Sequence, residues 1–317
     1  MVKECRQVKI LADWQAPYPA DVLSFHPSQS DILVVGTYLL DEETRNRHGK
    51  ICVLQLQRDH SLVLLSDVDV DAVLDLKWFE GRLFAAHSTG TVSILTYESG
   101  KLSVELSKQI VSADVLIMSL SVNTTGVLTS NSDGTVTNLG HQLEVKATIE
   151  VSELETWIQA YNHSSLDQSI IYAGSDDGAL SILDLRDETV SLCNRKSHGA
   201  GVTAILPYTD TLLLTGSYDD KIRSFDIRNL RRPIHEENLG GGVWRIIPDQ
   251  AKDSFLTCCM YDGAKLVDLT AEGFSITAAH TAHQSIVYGG DVVVQNEGPL
   301  YGTCSFYDKK VCLWSMA

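Results

Sequence analysis

Between positions 280 and 291 the chain reads His280-Thr281-Ala282-His283-Gln284-Ser285-Ile286-Val287-Tyr288-Gly289-Gly290-Asp291. Two histidines three apart offer zinc ligands. No third Cys, His or carboxylate at a defined spacing completes a tetrahedral set, so no metal site and no cofactor is expected. One histidine of the pair reads as structural. The other, with Ser285, Tyr288 and Asp291 nearby, has the groups for acid–base chemistry near neutral pH. A second stretch, Leu239-Gly240-Gly241-Gly242-Val243-Trp244-Arg245-Ile246, carries three glycines ahead of an aromatic and a cation. Glycines let backbone come close to a ligand and leave N–H groups to donate; a flexible turn accounts for them equally. The chain has neither a G-x-S-x-G elbow nor an H-E-x-x-H pair, so the usual serine-esterase and zincin arrangements are absent.

The elements that must position these residues are strands. Turn positions Gly49, Gly90, Gly134, Gly178, Asp220, Gly263 and Lys309 recur at intervals of 41, 44, 44, 42, 43 and 46 residues. A period near 43 is that of a small four-stranded sheet that cannot bury both faces alone, so stacking seven in a ring makes the core. The clearest unit, Thr215-Gly216-Ser217-Tyr218-Asp219-Asp220-Lys221-Ile222-Arg223-Ser224-Phe225-Asp226, matches a WD-repeat strand, hairpin and following strand, with Phe225 where Trp is usual. Ala173 to Asp184 repeats it, and the last unit ends on Lys309-Lys310-Val311-Cys312-Leu313-Trp314. The expected fold is all-β: a seven-bladed WD-repeat β-propeller, one domain over 1–317. The last blade lacks its outermost strand, which Gln7 to Ala12 would supply, closing the ring.

Most of the polar residues at the turns serve the repeat itself. His198, Ser217, Asp219 and Phe225 read as the buried relay that ties a blade together, and Asp133, Asp177, Asp262 and Asp308 as its turn carboxylates. The residue just before the turn Asp points to the top rim of the ring. It is Asp176, Tyr218, Tyr261 and Tyr307 in blades four to seven, with Tyr38 roughly equivalent in blade one. Aromatics on adjacent blades converge on a shared patch, which suits a protein contact or an aromatic cage for a quaternary ammonium ion.

Composition narrows the partners. With 41 acidic against 25 basic residues the net charge is −16, which repels nucleic acid and favours a cationic ligand. No apolar run reaches membrane-spanning length and the first residues are charged, so neither a span nor a secretory leader is read. Seven cysteines without a C-x-x-C pair suit reduced thiols in a cytoplasmic protein. A monomer is expected.

Gly36-Thr37-Tyr38-Leu39, Leu74-Asp75-Leu76-Lys77-Trp78, Glu155-Thr156-Trp157-Ile158, Tyr172 to Gly178, Gly216-Ser217-Tyr218-Asp219, Gly240 to Arg245, Tyr288-Gly289-Gly290-Asp291 and Cys304-Ser305-Phe306-Tyr307-Asp308 together resemble the diphthine methyl ester hydrolase family across nearly the whole chain. Val292 departs from it, standing where the family usually has Trp. The resemblance implies a carboxyl esterase that removes the methyl ester from methylated diphthine, a modified histidine of translation elongation factor 2, in diphthamide biosynthesis. That substrate carries a trimethylammonium group. Tyr38, Asp176, Tyr218, Gly241, Gly242, Trp244, Tyr261, Tyr288 and Tyr307 are the expected substrate contacts. His283 is expected as base, oriented by Asp291, with Ser285 or water as nucleophile and Arg245 plus the glycine-run amides as oxyanion donors. Loss of Arg245 is then expected to lower the rate more than the stability. The competing reading is a non-enzymatic WD-repeat scaffold or a substrate-recruiting subunit, since the fold does not decide function.

Overall fold

A computed structural model describes residues 6–249 and 253–317, and every regular element in them is a β-strand. The strands form seven antiparallel sheets. Blades one to six span residues 20–71, 73–109, 117–150, 156–194, 202–238 and 245–280. The seventh combines residues 287–316 with the N-terminal strand Val8–Gln15. That strand runs antiparallel to Lys310–Met316, pairing Val8 with Met316 and Ile10 with Trp314, so the ring closes as expected.

The recurring turns have a backbone reason. Gly90, Gly134, Gly178 and Gly263 have φ of 71–83°, and Asp220 and Lys309 take 66° and 55°, a region costly for most side chains. Gly49 is the exception. It lies inside the strand Arg47–Leu56 opposite Val70. Blade one instead folds a small extra hairpin, Leu39–Leu40 against Arg47–His48. Gly49 is needed for close approach, since a Cβ there would come within 2.8 Å of the Ala72 Cα.

Seven apolar clusters pack these blades, one at each seam. The seam between blades seven and one gathers Leu300, Cys304 and Leu313 with Leu23, Phe25 and Leu33. A glycine in the second strand recurs at three seams. Side chains at Gly36, Gly174 and Gly216 would collide with Val73, Val202 and Val243, each at the start of the next blade. This is why Gly precedes the Thr or Ser of the repeat.

The relay forms with one change of member. His198 Nε2 lies 2.8 Å from Thr215 Oγ1, whereas Ser217 Oγ donates to the Ala200 carbonyl. Asp219 accepts from the Gly199 amide at 2.7 Å and is gripped by both terminal nitrogens of Arg223. Asp133 and Asp177 cap the turn amides of Thr135 and Ala179.

Candidate functional site

Each blade's innermost strand lines the central channel, and near its start most carry the same irregularity. Register shifts bracket Asp21, Leu74, Met118, Trp157, Thr203 and Tyr288 in blades one to five and seven. A bulge adds a residue and re-aims its side chain. Trp244, just ahead of the first strand of blade six, holds the corresponding place, its amide donating to the Cys258 carbonyl at 2.8 Å. One residue per blade thus forms a layer across the channel mouth, and Asp21 is the only carboxylate in it.

Above this layer opens a pocket of about 490 Å³, walled by Tyr38, Trp157, Tyr218, Trp244, Tyr288, Phe306 and Tyr307, with Asp21 and Glu42 among its lining. The rings form a chain of contacts. Trp244 lies 5.6 Å from Trp157, 5.7 Å from Tyr218 and 4.8 Å from Tyr288. Phe306 continues it to Tyr288, Tyr38 and Tyr307 at 5.7, 6.0 and 5.0 Å. Asp176 supports the wall from behind by accepting from Trp157 Nε1 at 2.9 Å.

Below the pocket an ion pair crosses the channel. Arg245 of blade six places Nη1 3.0 Å from Asp75 Oδ1 of blade two and Nη2 3.4 Å from the Leu74 carbonyl. Asp75 is fully buried and also accepts from the Leu76 and Leu120 amides and from Lys77 Nζ. Burial would raise its carboxyl, but Arg245, Lys77 and the Leu120 amide outweigh it and hold the group below the usual range. A second cavity of about 410 Å³ lies beneath, lined by Arg245, Lys77, Trp78 and Asp291. Asp21 has the opposite environment. It is 5% exposed, and no hydrogen bond or ion pair reaches its carboxylate among the described residues. Burial pushes it up to about 7; the Arg245 charge opposes the rise and that of Asp75 adds to it.

The expected catalytic quartet is not assembled. His283 Nε2 is committed to Thr303 Oγ1 at 2.8 Å, and Trp314 Nε1 donates to the same oxygen at 3.3 Å. This is the blade-seven counterpart of the His198 relay. Burial pulls the His283 pKa down to about 4, so it is a neutral structural imidazole. Asp291 does not orient it, but instead accepts from the Phe25 amide at 2.8 Å and Ser24 Oγ at 3.1 Å, tying blade seven to blade one. Ser285 is buried and its Oγ accepts from the Tyr307 amide at 3.0 Å. His283→Ala is therefore expected to destabilise the fold by about 1–3 kcal/mol. Per folded molecule, activity should persist; abolished turnover with unchanged denaturant unfolding would overturn the structural assignment.

The glycine run also has a packing role. Gly241 and Gly242 are buried outside the pocket lining, and side chains there would meet the Asp262 Cβ at 3.0 Å and the Tyr218 ring at 3.4 Å. Tyr38, Tyr218, Trp244, Tyr288 and Tyr307 do line the pocket. Tyr261 stands outside it, 75% exposed, and Tyr307 is 68% exposed at the edge. The third potential metal ligand missing from the sequence reading is Cys312, near His280 and His283. His280 is stacked on Trp314 at 5.1 Å and 13°, so this cluster sits inside the relay packing of the blade. The sequence motifs alone assign no role to Asp21, Trp157 or Phe306. Aligning the first residues of the innermost strands would have put Asp21 and Trp157 level with Tyr288.

Fold and site together define a seven-bladed propeller with an aromatic-walled, acid-floored pocket at one channel mouth. A chain from the mitotic checkpoint complex superposes with a TM-score of 0.77 over 100% of this protein and 94% of that chain, at 17% identity. The WD40 propeller domain of Doa1 gives 0.78, with 98% and 97% covered, at 12% identity. No protein-family model matches the chain. The curated protein "diphthine methyltransferase" of Schizosaccharomyces pombe is 34% identical over 322 aligned residues, covering 95% of both chains. That of Saccharomyces cerevisiae is 29% identical, covering 90% and 93%. The human one is 31% identical over 73% of this chain and 58% of its own. The protein belongs to the diphthine methyltransferase family.

Proposed function

We propose that this protein is a carboxyl ester hydrolase of diphthamide biosynthesis, acting in the cytoplasm on translation elongation factor 2 that carries methylated diphthine. It frees diphthine and methanol. The observation that carries this reading is the pocket itself: ring faces on several sides with a carboxylate at the floor. A trimethylammonium group is attracted to each ring face by about 1–2 kcal/mol when desolvated, and the overall charge of −16 draws a cation inward. The names of the relatives point to the same modified histidine. Because that histidine is part of a large protein, the exposed Tyr261 and Tyr307 at the edge suit contact with the surface around it.

Hydrolysis and methyl transfer differ in what they consume. Purified protein given the methyl-esterified factor and no methyl donor should release methanol and lower the factor's mass by one methylene. A transferase would leave the mass unchanged until a donor was added and would then raise it. A scaffold would bind the factor without altering it under either condition.

A further inference from the structure

Ester hydrolysis at this pocket needs a group that can take a proton from water, and the residues expected to do so are committed elsewhere. His283 is hydrogen-bonded to Thr303, Ser285 to the Tyr307 amide, and Asp291 to Phe25 and Ser24. Asp75 is saturated by two amides, Lys77 and Arg245. Among the described residues one buried carboxylate remains at the pocket. Asp21 lies on the bulge of the blade-one inner strand, in the same layer as Trp157, Trp244 and Tyr288. It faces the pocket with no partner of its own among the described residues. A buried carboxylate with no hydrogen bond is costly to keep, and its position on the pocket floor gives it water as the available partner.

We propose that Asp21 is the general base of the esterase. This rests on the hydrolase reading above. As the water oxygen bonds to the ester carbon, the Asp21 carboxylate takes its proton. The tetrahedral oxyanion then collapses, the bond from carbon to the methoxy oxygen breaks, and the leaving methoxide recovers the proton from Asp21. Methanol and the carboxylic acid result, and the acid ionises in solvent. Arg245 supplies the positive field beneath this step; its Nε has no acceptor among the described residues.

A raised carboxyl suits the role, because a base works best with a pKa near the operating pH. The groups facing Asp21 are Arg245 and Asp75 below it, Tyr38, Tyr218 and Tyr288 around it, Cys304 behind it and Glu42 on the wall. Tyr38, Tyr218, Tyr288 and Cys304 all have pKa values raised by burial and stay neutral near pH 7, so the titration there belongs to Asp21.

The test compares wild type with Asp21→Asn on the methyl-esterified factor. Turnover should fall by about 100-fold or more, whereas affinity for the product factor, which carries trimethylammonium without the ester, should change far less than the rate, because the ring faces that hold the cation are untouched. The wild-type rate should rise with pH through about 7 and then level; the residual Asn rate should lack that step. Folding gives an independent readout. The folded carboxyl ionises at higher pH than the unfolded one, so stability falls as pH rises towards 7 and the Asn variant should gain melting temperature there. Wild-type turnover matched by Asp21→Asn overturns the assignment. So does ¹⁸O from solvent appearing in the Asp21 carboxyl after a single turnover, which would make Asp21 a nucleophile. A wild type that binds the factor and releases no methanol would instead remove the hydrolase reading.

Discussion

Arg245→Ala is expected to destabilise the protein by about 3–5 kcal/mol, as removal of one partner from a buried ion pair does. The reason is Asp75, fully buried and facing Arg245 across the channel at 3.0 Å. Lys77 and two amides still hold the abandoned carboxylate, which favours the lower end of that range. The sequence reading, in which loss of Arg245 lowers the rate much more than the stability, gains a sizeable stability cost for this reason: the side chain is a strut between blades two and six as well as a charge beneath the site. Urea unfolding of Arg245→Ala, Asp75→Asn and the double variant measures the coupling. The double variant should recover much of the loss, because no unpaired buried carboxylate remains and Lys77, the charge left behind, is 40% exposed. A single-variant cost below about 1 kcal/mol would mean that the pair is solvated like a surface salt bridge. Turnover, expressed per folded molecule, should also drop as the positive field under the pocket is lost.

Trp244→Ala should weaken binding of the proposed trimethylammonium substrate by about 2 kcal/mol, near thirtyfold in Kd. Trp244 touches three of the other rings of the cage, at 4.8–5.7 Å, so its removal opens the wall at its best-connected point. A cage holds the cation equally in ground and transition states, so KM should rise while kcat changes little. A neutral analogue with a tert-butyl group in place of trimethylammonium isolates the charge. Wild type should prefer the cation, and Trp244→Ala should lose most of that preference. Equal affinity of the wild type for both would mean that the pocket reads shape and area only.

The ring was legible because a turn needing positive φ marks the residue type at one point in each unit. Gly90, Gly134, Gly178 and Gly263 declare that backbone region directly, and the spacing does the rest. The reading failed at Gly49 because glycine also appears where two backbones crowd together, and spacing cannot separate the two causes. The rim aromatics were legible for the same reason as the turns, since their place is fixed by the hairpin beside them. Asp21 was not, because a bulge leaves no signature in composition, and its burial and lack of partners arise only when seven blades close around it. His283, Ser285 and Asp291 misled by proximity in sequence. Eight residues of extended chain can span roughly 25 Å, and here they run from a relay outside the inner strand to a tie between blades.

The Arg245–Asp75 pair stands between the two cavities of the channel, so the aromatic pocket and the far cavity meet at a charged waist. If the substrate is borne on a protein, as proposed, that protein would cover the aromatic mouth while docked, and methanol would have to pass either the waist or the departing partner. On that reading, release of the two proteins from one another would compete with chemistry for the slow step.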